Sequence, residues 1–358
     1  MKPIPVADLK AFTLQVFLKC GLSKEDAETA AEVLVTTDTW GVYTHGTKAL
    51  YAYTRRLRAQ GLKPLGRPHV EKEGPAWALV DGDSSLGMVT GVFAMRLAVA
   101  KAKTSGVAFV VVRNSCHFGA AGYYASLAAD QGQIGMAMSN DVPSVAAPGS
   151  LGAVLGSNPF AFAAPSGHAG ELVLDIATAE AAGGKVAAAA AEGKTVPSTW
   201  LVDAQGKPTG DPTLFIQQKA SLAPMSGHKG YGLALMIEIL SGVLSGSALR
   251  DRVGIWMREP LARPTDHSHA FLAVNPAVFL GEDAFLARQD DLFGGIRGLP
   301  AAKGIDHIKI PGEIEQDKRK KALAEGIQFP AEVLRLLRVA AEENGFPVPS
   351  FLDPAQAG

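Results

Sequence analysis

From Trp77 onward, short strand-like runs alternate with helical ones, and this alternation restricts the chain to an α/β fold. "AWALVDG" and "VAFVVVRNS" read as strands around the helical "GMVTGVFAMRLAVAKAKTSG", and "GQIGMAMSN" follows another helix after "HFGAAGYYASLAADQ". "ELVLDIAT" and "AFLAVNP" are further strand candidates, the second after a long loop. The helix begun by "GHKGYGLALMIEILSGVLSG" is apolar on nearly all sides, as a buried element is.

The two ends of the chain read differently. In "GLSKEDAETAAEVLVTTDTW", Ser23 is a helix cap with Asp26 three residues on, and a second helix through Leu50 to Leu57 puts Tyr53 and Leu57 on one face with Arg56 beside them. The prolines and glycines of "GLKPLGRPH" end that segment. "EIEQDKRKKALAEG" and "PAEVLRLLRVAAEENG" are two C-terminal surface helices with apolar stripes, suited to pack back on the N-terminal ones. The expected organisation is a helical domain from residues 1–75 and 291–345, an α/β cofactor-binding region over 76–290, and a tail from 346 to 358.

With 358 residues, 47% hydrophobic and 19% charged, the chain has ample core for an ordinary globular enzyme or binding protein. Its formal net charge of -1, with both signs intermixed, focuses no field on nucleic acid. The absence of a long apolar run or an export-like N-terminus gives the expectation of a cytoplasmic protein without a membrane partner, in which Cys20 and Cys116 are thiols.

Neither GxGxxG nor a Walker lysine loop stands at a strand-to-helix turn, so a Rossmann or P-loop site is disfavoured. In "TDHSHA", His267 and His269 share a strand face, but two imidazoles without a third ligand favour a strand-edge role over a metal site. "SGH" at Ser166 to His168 lacks a nucleophile-elbow context.

Three stretches carry candidate chemistry. "RNSCHFGAAGYY" leaves a strand and enters a helix, which puts His117 where backbone amides meet a ligand; the same residue could simply close the turn. Loops containing Asn140, Asp141, Ser157 and Asn158 follow closely, as for a shared cleft. "SGHKGYG" opens a helix with His228 and Lys229 at its positive end, an anion clamp or a solubilising cap. In "THGTKALYAY", His45 suits proton exchange because an ordinary histidine pKa of about 6.5 permits both forms near neutrality, with Tyr53 two turns further on. A structural histidine is the other reading of that site.

Taken in order, "THGTKALYAY", "NSCHFGAAGYY", "SNDVPSVAAPG", "GSNPFAFAAP", "LDIATAEAAGGKV", "GHKGYGLALMIEILSG" and "IKIPGE" resemble the non-Rossmann malate/L-lactate dehydrogenase family over nearly the whole chain. That family includes ureidoglycolate and sulfolactate dehydrogenases, diketogulonate reductases and cyclic-imine reductases. The resemblance implies an NAD(P)-dependent oxidoreductase with a non-Rossmann mixed sheet, usually a homodimer, whose active site lies between the cofactor domain and the helical domain. It implies His45 as acid/base, His117 and Asp141 as its catalytic neighbours, and Ser157, Asn158, Asp175, Thr178, His228, Lys229, Gly312 and Glu313 as cofactor contacts. A carboxylate at Glu313 would repel a 2'-phosphate, which prefers NAD over NADP. Related chains carry HGxxR; here the arginine position is Ala49, which leaves Lys48, Tyr53 and Arg56 as substrate-binding candidates. A 2-hydroxy acid/2-oxo acid pair is the leading substrate class, a cyclic imino acid or a catalytically inactive nicotinamide-binding protein the alternatives.

Overall fold

A computed structural model describes residues 2–352 apart from 166, 168, 169 and 259, so Ser166 and His168 of the "SGH" stretch and the end of the tail lie outside the described residues. The helices are α1 (Val6–Lys19), α2 (Lys24–Thr39), α3 (Leu50–Arg58), α4 (Gly87–Ser105), α5 (Ala121–Ala129), α6 (Gly183–Ala191), α7 (Pro212–Ile216), α8 (His228–Glu238), α9 (Ala277–Leu280), α10 (Glu282–Arg297), α11 (Glu313–Glu325) and α12 (Ala331–Glu343). The strands are β1 (His69–Gly74), β2 (Trp77–Asp81), β3 (Val107–Ser115), β4 (Ile134–Ser139), β5 (Val145–Ala146), β6 (Ala153–Leu155), β7 (Phe160–Ala164), β8 (Leu172–Ile176), β9 (Leu201–Asp203), β10 (Pro208–Thr209), β11 (Ala220–Leu222) and β12 (His267–Val274).

The strand candidates all enter one seven-stranded sheet in the order β1-β2-β3-β12-β4-β7-β8. Only β2 and β3 run parallel, joined over α4; β12 returns from far along the chain to pair antiparallel with both β3 and β4. The mixed, non-Rossmann sheet expected from the resemblance is therefore present. β1 already belongs to this sheet, ahead of residue 76.

The two chain ends do pack together. Ile4 and Ile327 form an antiparallel bridge, and Arg55 and Arg58 of α3 pair with Glu343 of α12. One hydrophobic core runs continuously from Leu9 and Leu34 through Met95 and Phe271 to Leu337, so terminal helices and sheet share a single interior. Leu352 is fully buried in it, which makes the first part of the expected tail an ordered element.

A second, five-stranded sheet in the order β10-β9-β11-β5-β6 has its own small core of Val145, Val186, Leu201 and Leu222. Its strands are two or three residues long. Such runs are too short to produce a readable period-2 pattern.

Candidate active site

The turn after α2 positions His45. Ser23 caps the start of that helix by accepting from the Asp26 amide (3.1 Å), as its sequence indicates, and Asp38 lies in its last turn. The Asp38 carboxylate accepts from both the amide (2.9 Å) and the hydroxyl (2.5 Å) of Thr47. Between them lies His45, partly buried, with its Nδ1 2.9 Å from the Thr44 hydroxyl.

His117 arrives from the other side, on the loop between β3 and α5. Its ring stacks beside that of His45 with centroids 5.6 Å apart. Its Nδ1 lies 2.7 Å from the Tyr53 hydroxyl. Burial pushes the Tyr53 pKa well above the usual tyrosine range, so the phenol keeps its proton. Donated to Nδ1, that proton assigns the His117 hydrogen to Nε2. Burial first, and then the neighbouring histidines, hold the His117 pKa well below the ordinary value. His117 is thus a neutral hydrogen-bond donor at neutral pH.

His45 is held below its ordinary 6.5 by burial, against which the Asp141 carboxylate pulls upward. Asp141 in turn lies 3.3 Å from Nε2 of His267, a buried residue that opens β12. A register shift separates His267 from His269, and their ring nitrogens have different partners. His269 bridges the Ser139 and Ser115 hydroxyls at 2.9 Å each, and burial pulls its pKa down to about 3. Among the described residues no group of three or more side chains of metal-ligating type could hold a metal ion.

Trp256 closes this constellation, and nothing in the sequence pattern singled it out. Its ring stacks on His117 with centroids 4.1 Å apart and 10° between planes, and on Tyr53 at 5.1 Å. Arg56 holds it there. That guanidinium, 1% exposed, donates to the carbonyls of Trp256 (2.6 Å), Ile255 (2.7 Å), Arg258 (3.3 Å), Leu261 (3.2 Å) and Arg263 (2.7 Å). Of the residues expected to bind substrate, Arg56 is thus engaged as a loop clamp and Tyr53 is hydrogen-bonded to His117. Lys48 lies near Glu332 of α12, where its charge adds to the Arg335 hydrogen bond in lowering that carboxyl's pKa. Ala49 is buried.

Several of the residues expected to contact the cofactor have polar atoms engaged within the protein. Asn158 is fully buried, at a φ of 29°; its oxygen accepts from the Asp141 amide (3.1 Å), and its nitrogen donates to the Ala234 carbonyl (3.0 Å) and the Glu238 carboxylate (2.9 Å). The amide and hydroxyl of Thr178, likewise buried, both donate to the Ser157 carbonyl (2.9 Å each). Asp175, an exposed residue, accepts from the Gly122 amide (2.8 Å) at the start of α5. Glu313 is bound by Arg297 (Nε, 2.9 Å) and by the Ile310 amide (3.0 Å), while Gly312, at a φ of 100°, lets the turn lie against Val173. With its charge offset by Arg297, Glu313 gives no ground for preferring NAD over NADP.

What remains open is a rim. The segments containing Thr178 and His228 are hydrogen-bonded to one another, Met225 donating to the Thr178 carbonyl (2.9 Å) beside a bridge between Ala179 and Pro224. A Cβ on Gly230 would lie 2.4 Å from the Met225 carbonyl, so the start of α8 is seated directly on this junction. His228 and Lys229 are exposed there, and the start of α6 approaches Thr44, whose methyl would lie 3.0 Å from a Cβ on Gly184. The N-terminus of α6, next to Thr44, and that of α8, which carries Lys229, are of the kind that binds the phosphates of a dinucleotide.

The same architecture recurs in known proteins. The family model described as malate/L-lactate dehydrogenase matches residues 4–338. The chain belongs to the malate/L-lactate dehydrogenase family. Within it, the L-sulfolactate dehydrogenase of Methanocaldococcus jannaschii is 35% identical over 96% of this chain and 98% of its own. The malate dehydrogenase of Pyrococcus abyssi is 34% identical over 96% and 95%, respectively. The crystal structure of malate dehydrogenase from Entamoeba histolytica superposes with a TM-score of 0.91 at 31% identity, covering 97% of this chain and 99% of that one. The chain is accordingly an NAD(P)-dependent oxidoreductase of this dehydrogenase family.

Proposed function

We propose reversible hydride transfer between a nicotinamide and the carbonyl of a small 2-oxo acid, with His45 as proton donor in reduction and acceptor in oxidation. What supports this reading is the His45 and His117 pair, whose ring nitrogens are held by Thr44 and Tyr53 beside the start of α6, while His228 and Lys229 lie exposed at the start of α8. The bound nicotinamide supplies or takes the hydride. His117, neutral and protonated on Nε2, donates a hydrogen bond to the substrate oxygen, while His45 moves the proton. Trp256 excludes water from the His117 face.

The test is a purified-protein assay with NADH and NADPH against 2-oxo acids, sugar-derived keto acids and cyclic imines, and with NAD and NADP against 2-hydroxy acids and ureidoglycolate, followed by nicotinamide absorbance. Turnover of 2-oxo acids is expected; folded protein inactive on every acceptor and every alcohol would sink the reading. A cyclic imine is the second reading, favoured by buried Ala49 and by the Asp141 carboxylate that faces His45 and would stabilise a protonated nitrogen. Matched keto and imine acceptors separate the two. Ala49→Arg adds a sharper comparison: a selective gain for carboxylate-bearing acceptors would mark position 49 as a specificity determinant, and uniform loss would mark the site as too tightly packed for that fork.

We also propose a homodimer. Leu233, Met236, Ile239 and Val243 form an apolar stripe along α8 and its continuation, with Ile239 49% and Val243 54% exposed. A stripe of this kind on a soluble domain marks an interface. Sedimentation should give twice the chain mass, and Ile239→Glu should give monomers; a monomeric parent protein would overturn the assignment.

A further inference from the structure

Asp38 lies outside the hydride-transfer machinery described above, yet the acid/base histidine is built around it. We propose that Asp38 is a positioning residue for His45: its buried carboxylate fixes the His45–Gly46–Thr47 backbone from which the acid/base ring projects. The proposal rests on His45 being the proton donor.

Three observations carry it. Asp38 is 1% exposed, and its Oδ2 accepts from the amide and the hydroxyl of Thr47, the residue that opens the short helical turn Thr47–Ala49. Its Oδ1 is buried without a hydrogen-bond partner and faces Gly46, where a Cβ would lie 1.9 Å from it. The glycine beside the histidine is thus required by the carboxylate behind it, because any larger residue would displace either the turn or Asp38. Thr47 is fully buried, so its two donors have no water to turn to once Asp38 is lost. Keeping a carboxyl there runs against burial, which pushes its pKa up to about 7 despite the two hydrogen bonds from Thr47.

Asp38→Asn retains shape but puts an amide where Oδ1 or Oδ2 stood. It is expected to lower kcat by about 10- to 100-fold while substrate KM and NADH affinity stay within about 3-fold, the signature of a misplaced group that acts in the transition state. The deciding readout is coupling to His45. In a His45→Ala background, Asp38→Asn should cost less than about 2-fold more, because there is no ring left to misplace. Thr47→Val, which deletes only the hydroxyl contact, should show a smaller loss with the same coupling and serves if Asp38→Asn does not fold. Wild-type kcat in both variants would overturn the proposal, as would an equal loss with and without His45, the result a general destabilisation gives. If His45→Ala itself keeps full turnover, the functional reading is what fails, and the positioning role falls with it.

Discussion

His45→Ala should fold, bind NADH as the parent does, and lose about 10²- to 10⁴-fold in turnover, the range for removal of a positioned acid/base group. The ring is partly exposed, and its side-chain hydrogen bond is to the exposed residue Thr44, so its loss leaves no buried polar group stranded. Its pKa, lowered from 6.5 by burial, also keeps it mostly neutral at pH 7 and so able to take a proton in oxidation. The effect belongs in kcat rather than in NADH affinity, because the rim of Thr178, His228 and Lys229 is built from other segments. Rapid-mixing assays with saturating NADH separate the two quantities. Unchanged single-turnover rates in folded protein would remove His45 from the chemistry.

Arg56→Met should be the most destabilising single change near the site. Five carbonyls from Ile255 to Arg263 lose a buried donor at once, and bonds from a charged donor are worth more than neutral ones. Part of the loop can turn to water, so the expected cost is about 3 kcal/mol rather than the sum of five bonds. Trp256 would lose its seat on His117, and turnover should drop along with stability. Arg56→Lys would not rescue it, since three donors on a flexible stem cannot span five carbonyls. Denaturant unfolding monitored by tryptophan fluorescence gives the measurement; a stability change under about 0.5 kcal/mol would show that the clamp is dispensable.

Five strands of the large sheet and the helix cap at Ser23 were legible in the sequence because each leaves a local trace, whereas β1 and β7 were not read, and the apolar stripes of the terminal helices indicated only that the chain ends were suited to meet. His45 and His117, singled out by a glycine-flanked helix edge and a strand-to-helix junction, are brought together with ring centroids 5.6 Å apart. What could not be read locally was the use to which side chains are put across long separations. Arg56 read as a substrate-binding candidate on a helix, and its carbonyl partners are some two hundred residues away on the loop that carries Trp256. Asn158, Thr178 and Glu313 stand in stretches that resemble cofactor contacts, yet their side chains brace the cleft. Asp38 sits inside a helical pattern, where a lone acid reads as surface polarity. His267 was legible only as a strand-edge residue, because its approach to Asp141 depends on the register shift in β12.

The pH dependence of kcat/KM for reduction, measured in parent protein and in His45→Ala, tests the central claim most directly. A proton donor must be protonated, so its contribution falls as pH rises through its pKa. Burial places the His45 pKa below 6.5, so kcat/KM for reduction should decline with a midpoint below that value, while oxidation rises over the same interval. Both limbs should vanish in His45→Ala, leaving a flat, slow rate. Limbs that persist unchanged in His45→Ala would assign the proton to another group and contradict the account.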